Sequence, residues 1–276
     1  MTDPHLVAEL PSRAVVALGG PDWRGFLQGL ITQDVETLAP GEARFGGLLT
    51  PQGRLLFDLF VIGRGDGCLI DCAADRQDAL IQRLTMYRLR AKVEIAASDL
   101  TVEALWRTPV APPGWSADPR LAALGFRGYG AAAPDEAVRV PEVAHEAHRF
   151  ALGVPGSADW ADETTYPIEA DFDLLNGIDF KKGCFVGQET TSRMKRRGTV
   201  KSRMVPIAFE GAPPDHGAEL LAGSLRAGVA LSGAEGAAMA LLRQDRLEAG
   251  ALTLADGRTW RPVWQAWLKA GRDAAS

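Results

Sequence analysis

Hydrophobic and polar positions change their period several times along this chain. Residues 13–18 (RAVVAL) form an apolar run of strand length, ended by Gly19-Gly20. Pro21 suits the first position of a helix, and Phe26, Leu27, Leu30 and Ile31 then recur at helical spacing. Residues 43–49 and 54–62 (RLLFDLFVI) predict two strands joined by the turn Thr50-Pro51-Gln52-Gly53. In CLIDC, Cys68, Ile70 and Cys72 alternate as in a strand. Residues 75–89 predict a helix with Leu80, Leu84 and Tyr87 on one face, and KVEIAA (92–97) predicts a returning strand. Strands and helices in turn, with hairpins, make the first third α+β.

Residues 107–120 (RTPVAPPGWSADPR) and 131–140 read as loops, the first a candidate domain boundary. A helix is expected over 141–151, led by Pro141. Gly187 stands where another begins, over Gln188 to Arg196, and Gly198 is its natural stop. After residue 200 the helical period fades. MVPIAF, SLRAGVALS, AAMALLR and RTWRPVW are short strands between Gly-containing turns, which predicts a small β-barrel-like domain over 203–276, set apart from an α+β region over 1–202.

With 276 residues and 46% hydrophobic content, the chain can bury a substantial core in more than one domain. It has no apolar run of about 18 residues, so no transmembrane helix is expected. MTDPHLVAEL lacks the basic and apolar regions of a secretory signal. Three cysteines without a disulfide framework fit a reducing cytoplasm. A net charge of −5 argues against a whole-surface nucleic-acid binder. Yet residues 181–203 hold Lys181, Lys182, Arg193, Lys195, Arg196, Arg197, Lys201 and Arg203 against the single acid Glu189. That concentration predicts a focused anion-attracting patch.

The sharpest chemical candidate lies at its start. Cys184 sits between Gly183 and Phe185, behind Lys181 and Lys182 and close to a helix N-terminus, a setting that favours the thiolate. Gly183 and Gly187 allow a tight turn with open N–H groups. The alternative is an ordinary buried cysteine. Residues 193–203 suit a polyanion or form a solvated helix end. Asp58 interrupts the apolar strand RLLFDLFVI, so it must find a partner, face a cleft, or lie on an edge facing water. Cys68 and Cys72 read as core. His145 and His148, at i and i+3, read as a surface helix rather than a metal pair. Neither GxSxG, nor a P-loop, nor GxGxxG ahead of a helix is present. With Phe185 the one aromatic in 181–203, base stacking lacks its platform, and direct nucleic-acid binding is disfavoured.

The eight residues KGCFVGQE (182–189), followed by Arg193 and Arg197-Gly198, resemble the signature of the YgfZ family, the folate-binding branch of the glycine-cleavage T-protein (aminomethyltransferase) superfamily. FLQGLITQDV (26–35), LAPGEARFGGLLTPQGRLLFDLFVI (38–62), YRLRAKVEI (87–95), DPRLAALGFR (118–127), RFALGVP (149–155) and YPIEADFDLLNGIDF (166–180) resemble its other blocks in the same order. The resemblance implies a T-protein-like cloverleaf: two interwoven mixed α/β subdomains around a central channel, plus a C-terminal β-barrel. It also implies tetrahydrofolate, or a one-carbon derivative, as cofactor. Support of iron–sulfur assembly or repair follows from it, with assembly proteins, client enzymes and tRNA-thiolating enzymes as partners and no metal ligands of its own. Carried over residue by residue, the catalytic candidates are Cys184, Lys182 and Asp58. The folate-binding candidates are Glu169, Arg149, Gln188, Glu189, Arg193 and Arg197. Where T-proteins have paired aspartates this chain has Phe57-Asp58, which sets aminomethyl transfer second as a function.

Overall fold

The structure is a computed structural model that describes residues 4–160, 163–197 and 200–273, without the side chains of residue 197 and residues 271–273. It divides into two compact units, one of Met1–His148 with Leu175–Gln188, the other of Arg149–Leu174 with Glu189–Ser276. The Pro-rich loop at 107–120 lies inside the first unit rather than between the two.

In the first unit, one sheet is built from β2 (Arg13–Gly19), β3 (Ala43–Leu49), β4 (Leu55–Gly63), β5 (Gly67–Ala73) and β6 (Glu94–Ser98), in the order β3-β4-β5-β2-β6. All its pairings are antiparallel, and the β3–β4 hairpin sets Gly47 opposite Asp58. The strand period sorts β4 cleanly. Phe57, Leu59 and Val61 join Val16 and Leu18 of β2, Ile70 of β5, Trp23 and Leu27 of α1 (Trp23–Gln28), and Leu80 and Leu84 of α2 (Gln77–Arg88) in one apolar core. Asp58 and Phe60 therefore project from the other face. Both faces are buried, which explains why the sequence there is nearly all apolar.

The unit's second sheet joins β1 (Leu6–Glu9), β7 (Val102–Trp106), β8 (Trp115–Ala117), β9 (Phe126–Tyr129) and β10 (Val138–Arg139), in the order β10-β1-β7-β9-β8. All five of these strands fall in stretches that carry no strand signal or read as loop. They are two to five residues long, and their pairings reach across the chain, as between Leu6 and Trp106. Such contacts leave little periodicity to read.

The second unit holds the C-terminal barrel. Strands β11 (Ser202–Phe209), β12 (Glu219–Ala222), β13 (Leu225–Ala234), β14 (Ala237–Arg243), β15 (Leu252–Leu254) and β16 (Trp260–Pro262) run in the order β15-β12-β13-β14-β11-β16. A bridge between Thr253 and Thr259 brings the two ends together, so the sheet is nearly closed and has little free edge. Its interior mixes large residues such as Ile207, Phe209 and Trp260 with Ala222, Ala230, Ala238 and Ala240, as a narrow barrel requires. One element departs from the all-strand expectation. Residues Ala266–Asp273 form a helix, α5, whose Trp267 donates its indole N–H to the Leu152 carbonyl at 2.9 Å. The α+β class and the C-terminal barrel are both observed.

Candidate functional site

The signature loop belongs to the first unit and is fixed at nearly every residue except its cysteine. Upstream, Thr32 donates its hydroxyl to the Gly177 carbonyl at 2.6 Å, and the Asp179 N–H donates to the Thr32 carbonyl at 2.9 Å. Asp179 then accepts the backbone N–H groups of Lys181 and Lys182 at 2.7 and 3.2 Å, an Asx turn that starts the loop. The Lys182 ammonium donates to three carbonyls, of Gln28, Ile31 and Gln33, at 2.8, 2.7 and 2.9 Å. It closes the C-terminal end of α1 and the turn that follows, where helix carbonyls lack internal donors. Burial lowers its pKa to about 8, against the opposing pull of Asp34 and Asp179.

Downstream, Phe185 is buried, with the Lys182 Nζ 5.3 Å from its ring centroid, and Val186 packs on the apolar core. Gly187 has φ +81°, and a Cβ there would meet the Thr50 carbonyl oxygen at 2.7 Å, so this position requires glycine. Between these anchors Cys184 is exposed, whereas Cys68 and Cys72 are buried in the core with thiol pKa values pushed up to about 12 by desolvation. The Lys182 ammonium, bonded to three backbone carbonyls, is the loop's anchor.

Asp58 lies on the inner strand β4 and is buried, with its Oδ2 accepting from the Arg13 guanidinium at 2.8 Å. This excludes the edge-strand alternative. Arg13 also donates to Asp71 at 2.6 Å, and Asp71 in turn accepts from Arg127 at 2.6 Å and from the Tyr129 hydroxyl at 3.1 Å. The Arg127 guanidinium stacks 3.9 Å above the Phe60 ring. Arg13, Asp71 and Arg127 were missed in the sequence. Their one available signal was Asp71 within CLIDC, on the face opposite Cys68, Ile70 and Cys72. His145, on α3 (Glu142–Ala151), is another correction: it is 3% exposed and packs edge-on against Trp106, not on a surface. Burial and the Arg127 and Arg120 charges depress its pKa to about 3. Among the described residues no cluster of three metal-ligating side chains occurs.

Of the remaining candidates, Gln188 is the last residue of the first unit and the others belong to the second. Glu169 is half-buried, with Oε2 accepting the Tyr166 N–H at 3.0 Å while its carbonyl accepts the Met204 N–H. Arg149 is buried and donates to the Val154 carbonyl at 2.6 Å and to Asp159 at 3.3 Å, which places it in a structural loop clamp. On α4 (Gln188–Arg197), Gln188 is half-buried at the N-terminus, and Glu189, Arg193, Lys195 and Arg196 are exposed. The side chain of Arg197 and residue Gly198 lie outside the described residues. The basic run is therefore less uniform than its composition. Lys182 is spent on carbonyls, and Arg203 is buried against Asp171 and Asp173 at 2.8 and 2.9 Å.

The fold is that of the T-proteins. The solved aminomethyltransferase T of the glycine cleavage system from Bartonella henselae superposes with a TM-score of 0.76, covering 96% of this chain and 86% of that one, at 17% identity. Residues 201–270 match the family model of the CAF17 C-terminal beta-barrel domain. The class is thus a T-protein-like α+β protein with a CAF17-type barrel. Among curated proteins, the chain is similar to the mitochondrial iron-sulfur cluster assembly factor IBA57 homologs of Mycosarcoma maydis, 34% identical over 75% of this chain, and Neurospora crassa, 32% over 76%. It is also similar to human IBA57, 29% identical over 75% of this chain and 67% of that one. The matches span 59% and 55% of the two fungal proteins, little more than half their length. These relatives carry the IBA57 name, not YgfZ. Each is also named as mitochondrial, which overturns the cytoplasmic setting expected from the cysteine count.

Proposed function

We propose that this chain is a folate-binding accessory factor that supports the assembly or repair of iron–sulfur clusters through the thiol of Cys184. One observation carries the reading. Of three free cysteines, only Cys184 is exposed, and it is held on a loop anchored by Lys182, Phe185 and Gly187. A thiol presented in this way meets a partner or a cluster in transit at little cost in ordering the loop. Relatives named as iron–sulfur cluster assembly factors support the same reading and suggest assembly proteins or client enzymes as partners, while tRNA-thiolating enzymes rest on the resemblance in sequence alone.

The residues fit tetrahydrofolate by their chemistry. Its glutamate tail calls for cations, and Arg193, Lys195 and Arg196 are exposed on α4. Its pteridine edge calls for an acceptor, and Glu169 is a half-buried carboxylate. The cofactor would supply a one-carbon carrier. Aminomethyl transfer stays second, because Asp58 is committed to Arg13 in a buried network. Titration with tetrahydrofolate, read by the fluorescence of the seven tryptophans, should saturate, and Glu169→Gln should weaken it. A flat titration of the folded protein removes the folate part of the proposal.

A further inference from the structure

The end of α2 and the turn after it present a feature that the thiol loop does not use. Leu89 is 89% exposed and Met86, three residues earlier in the last turn of the helix, is 64% exposed. Leu89 also adopts φ +46° and ψ −106°, a conformation that costs a branched L-residue energy. No burial of the side chain repays that cost. The turn is nevertheless rigidly built. The Ala91 N–H donates to the Arg88 carbonyl at 2.8 Å, the Lys92 N–H donates to Asp22 at 2.7 Å, and a Cβ on Gly20 would meet the Lys92 carbonyl oxygen at 2.4 Å. The knob is preorganised.

Charge points the same way. Residues 79–93 contain Arg83, Arg88, Arg90 and Lys92 and no acid, in a chain whose net charge is −5. Arg88, Leu89, Arg90 and Lys92 line a groove of about 360 Å³ beside the knob, with Glu94 the one acid in its lining. An apolar projection next to a cationic groove fits a protein surface that offers an apolar recess with carboxylates around it.

We infer that the tip of α2 is a docking surface for an acidic protein partner, with Leu89 as the buried anchor and Arg88, Arg90 and Lys92 as its charged rim. That this partner is an iron–sulfur assembly protein rests on the function proposed above. Leu89→Gly is the informative variant, because glycine accepts the backbone conformation while deleting the anchor. It should hold or raise the unfolding midpoint of the chain.

A photo-activatable residue is placed at position 89 of the full-length chain in cells, and separately at Val143, an equally apolar site that is 70% exposed. The expected adduct forms at 89 with a protein of strongly negative net charge, is lost on combining Arg90→Glu with Lys92→Glu, and is absent at 143. That protein, once purified, should bind the Leu89→Gly chain roughly tenfold more weakly, or worse. The inference is overturned by no adduct at 89, by an adduct that survives charge reversal, by binding unchanged in Leu89→Gly, or by sedimentation with vesicles of anionic phospholipid through these same residues. Deleting the gene separates the two readings. Unchanged iron–sulfur enzyme activity would remove the assembly function alone, whereas lost activity with no adduct at 89 would remove the docking surface alone.

Discussion

Cys184 differs from Cys68 and Cys72 by its surroundings. The two strand cysteines are sealed among Leu59, Ile70 and Leu84, where desolvation disfavours the thiolate, and Cys184 faces solvent. A thiol reagent should therefore modify one cysteine per native chain quickly and all three only after unfolding, and Cys184→Ser should abolish the fast phase. Asp171 gives a second prediction. It is fully buried with φ +60°, and its Oδ2 has no hydrogen-bond partner. Burial, together with the Asp173 charge, raises its pKa from 3.8 to about 8 despite Arg203. Because the folded state holds this proton more tightly than the unfolded chain, the stability it confers is complete below about pH 4 and is lost as pH rises through about 8. Urea midpoints should fall between pH 5 and 8 in the native protein and fall less in Asp171→Asn; parallel curves would contradict this. Cys184 was legible because its signature is local. The task of Lys182 was not, since its carbonyl partner on Gln28 lies 154 positions away.

Among the elements, the signature loop is the one whose construction bears on function. Removing the ammonium with Lys182→Met leaves three half-buried carbonyls without their donor, and a destabilisation of about 1–3 kcal/mol is expected, with faster amide exchange at residues 28–33 and 182–187. Gly187→Ala should cost about 1–3 kcal/mol, because its Cβ meets the Thr50 carbonyl at a φ that alanine resists. Unchanged stability in both would mean that the loop is not held in the way described. The hairpin β3–β4, the helix α2 and the long barrel strands were readable because each carries its own period or turn. The sheet containing β1, β7, β8 and β9 was not, because strands of three to five residues, with pairings as distant as Leu6 and Trp106, leave no local mark. α5 escaped for a related reason: AWLKAGRD is eight residues long, shorter than the window in which a helical stripe stands out.

At the scale of the whole molecule, the first unit depends on a charged centre as well as an apolar one. Asp71 sits fully buried between Arg13 and Arg127, and Asp58 completes the pairing with Arg13. Breaking it with Arg13→Met takes one charged partner from each of two buried carboxylates and should cost about 3–5 kcal/mol, read as a drop in the unfolding midpoint of this unit. Asp58→Asn keeps a hydrogen-bonding group beside Arg13 and should cost less. The T-protein-like architecture was accessible through collinear blocks along the sequence, and the mitochondrial naming of the relatives was not, since it belongs to those proteins' names. The central claim is that the exposed sulfur of Cys184 supports iron–sulfur enzymes. It is tested most directly by restoring a deletion strain with the full-length chain or with Cys184→Ser, at equal protein levels, and assaying cluster-dependent enzymes under oxidative stress. The account predicts recovery with the native chain and activity near that of the deletion with the serine variant; full recovery with Cys184→Ser would contradict it.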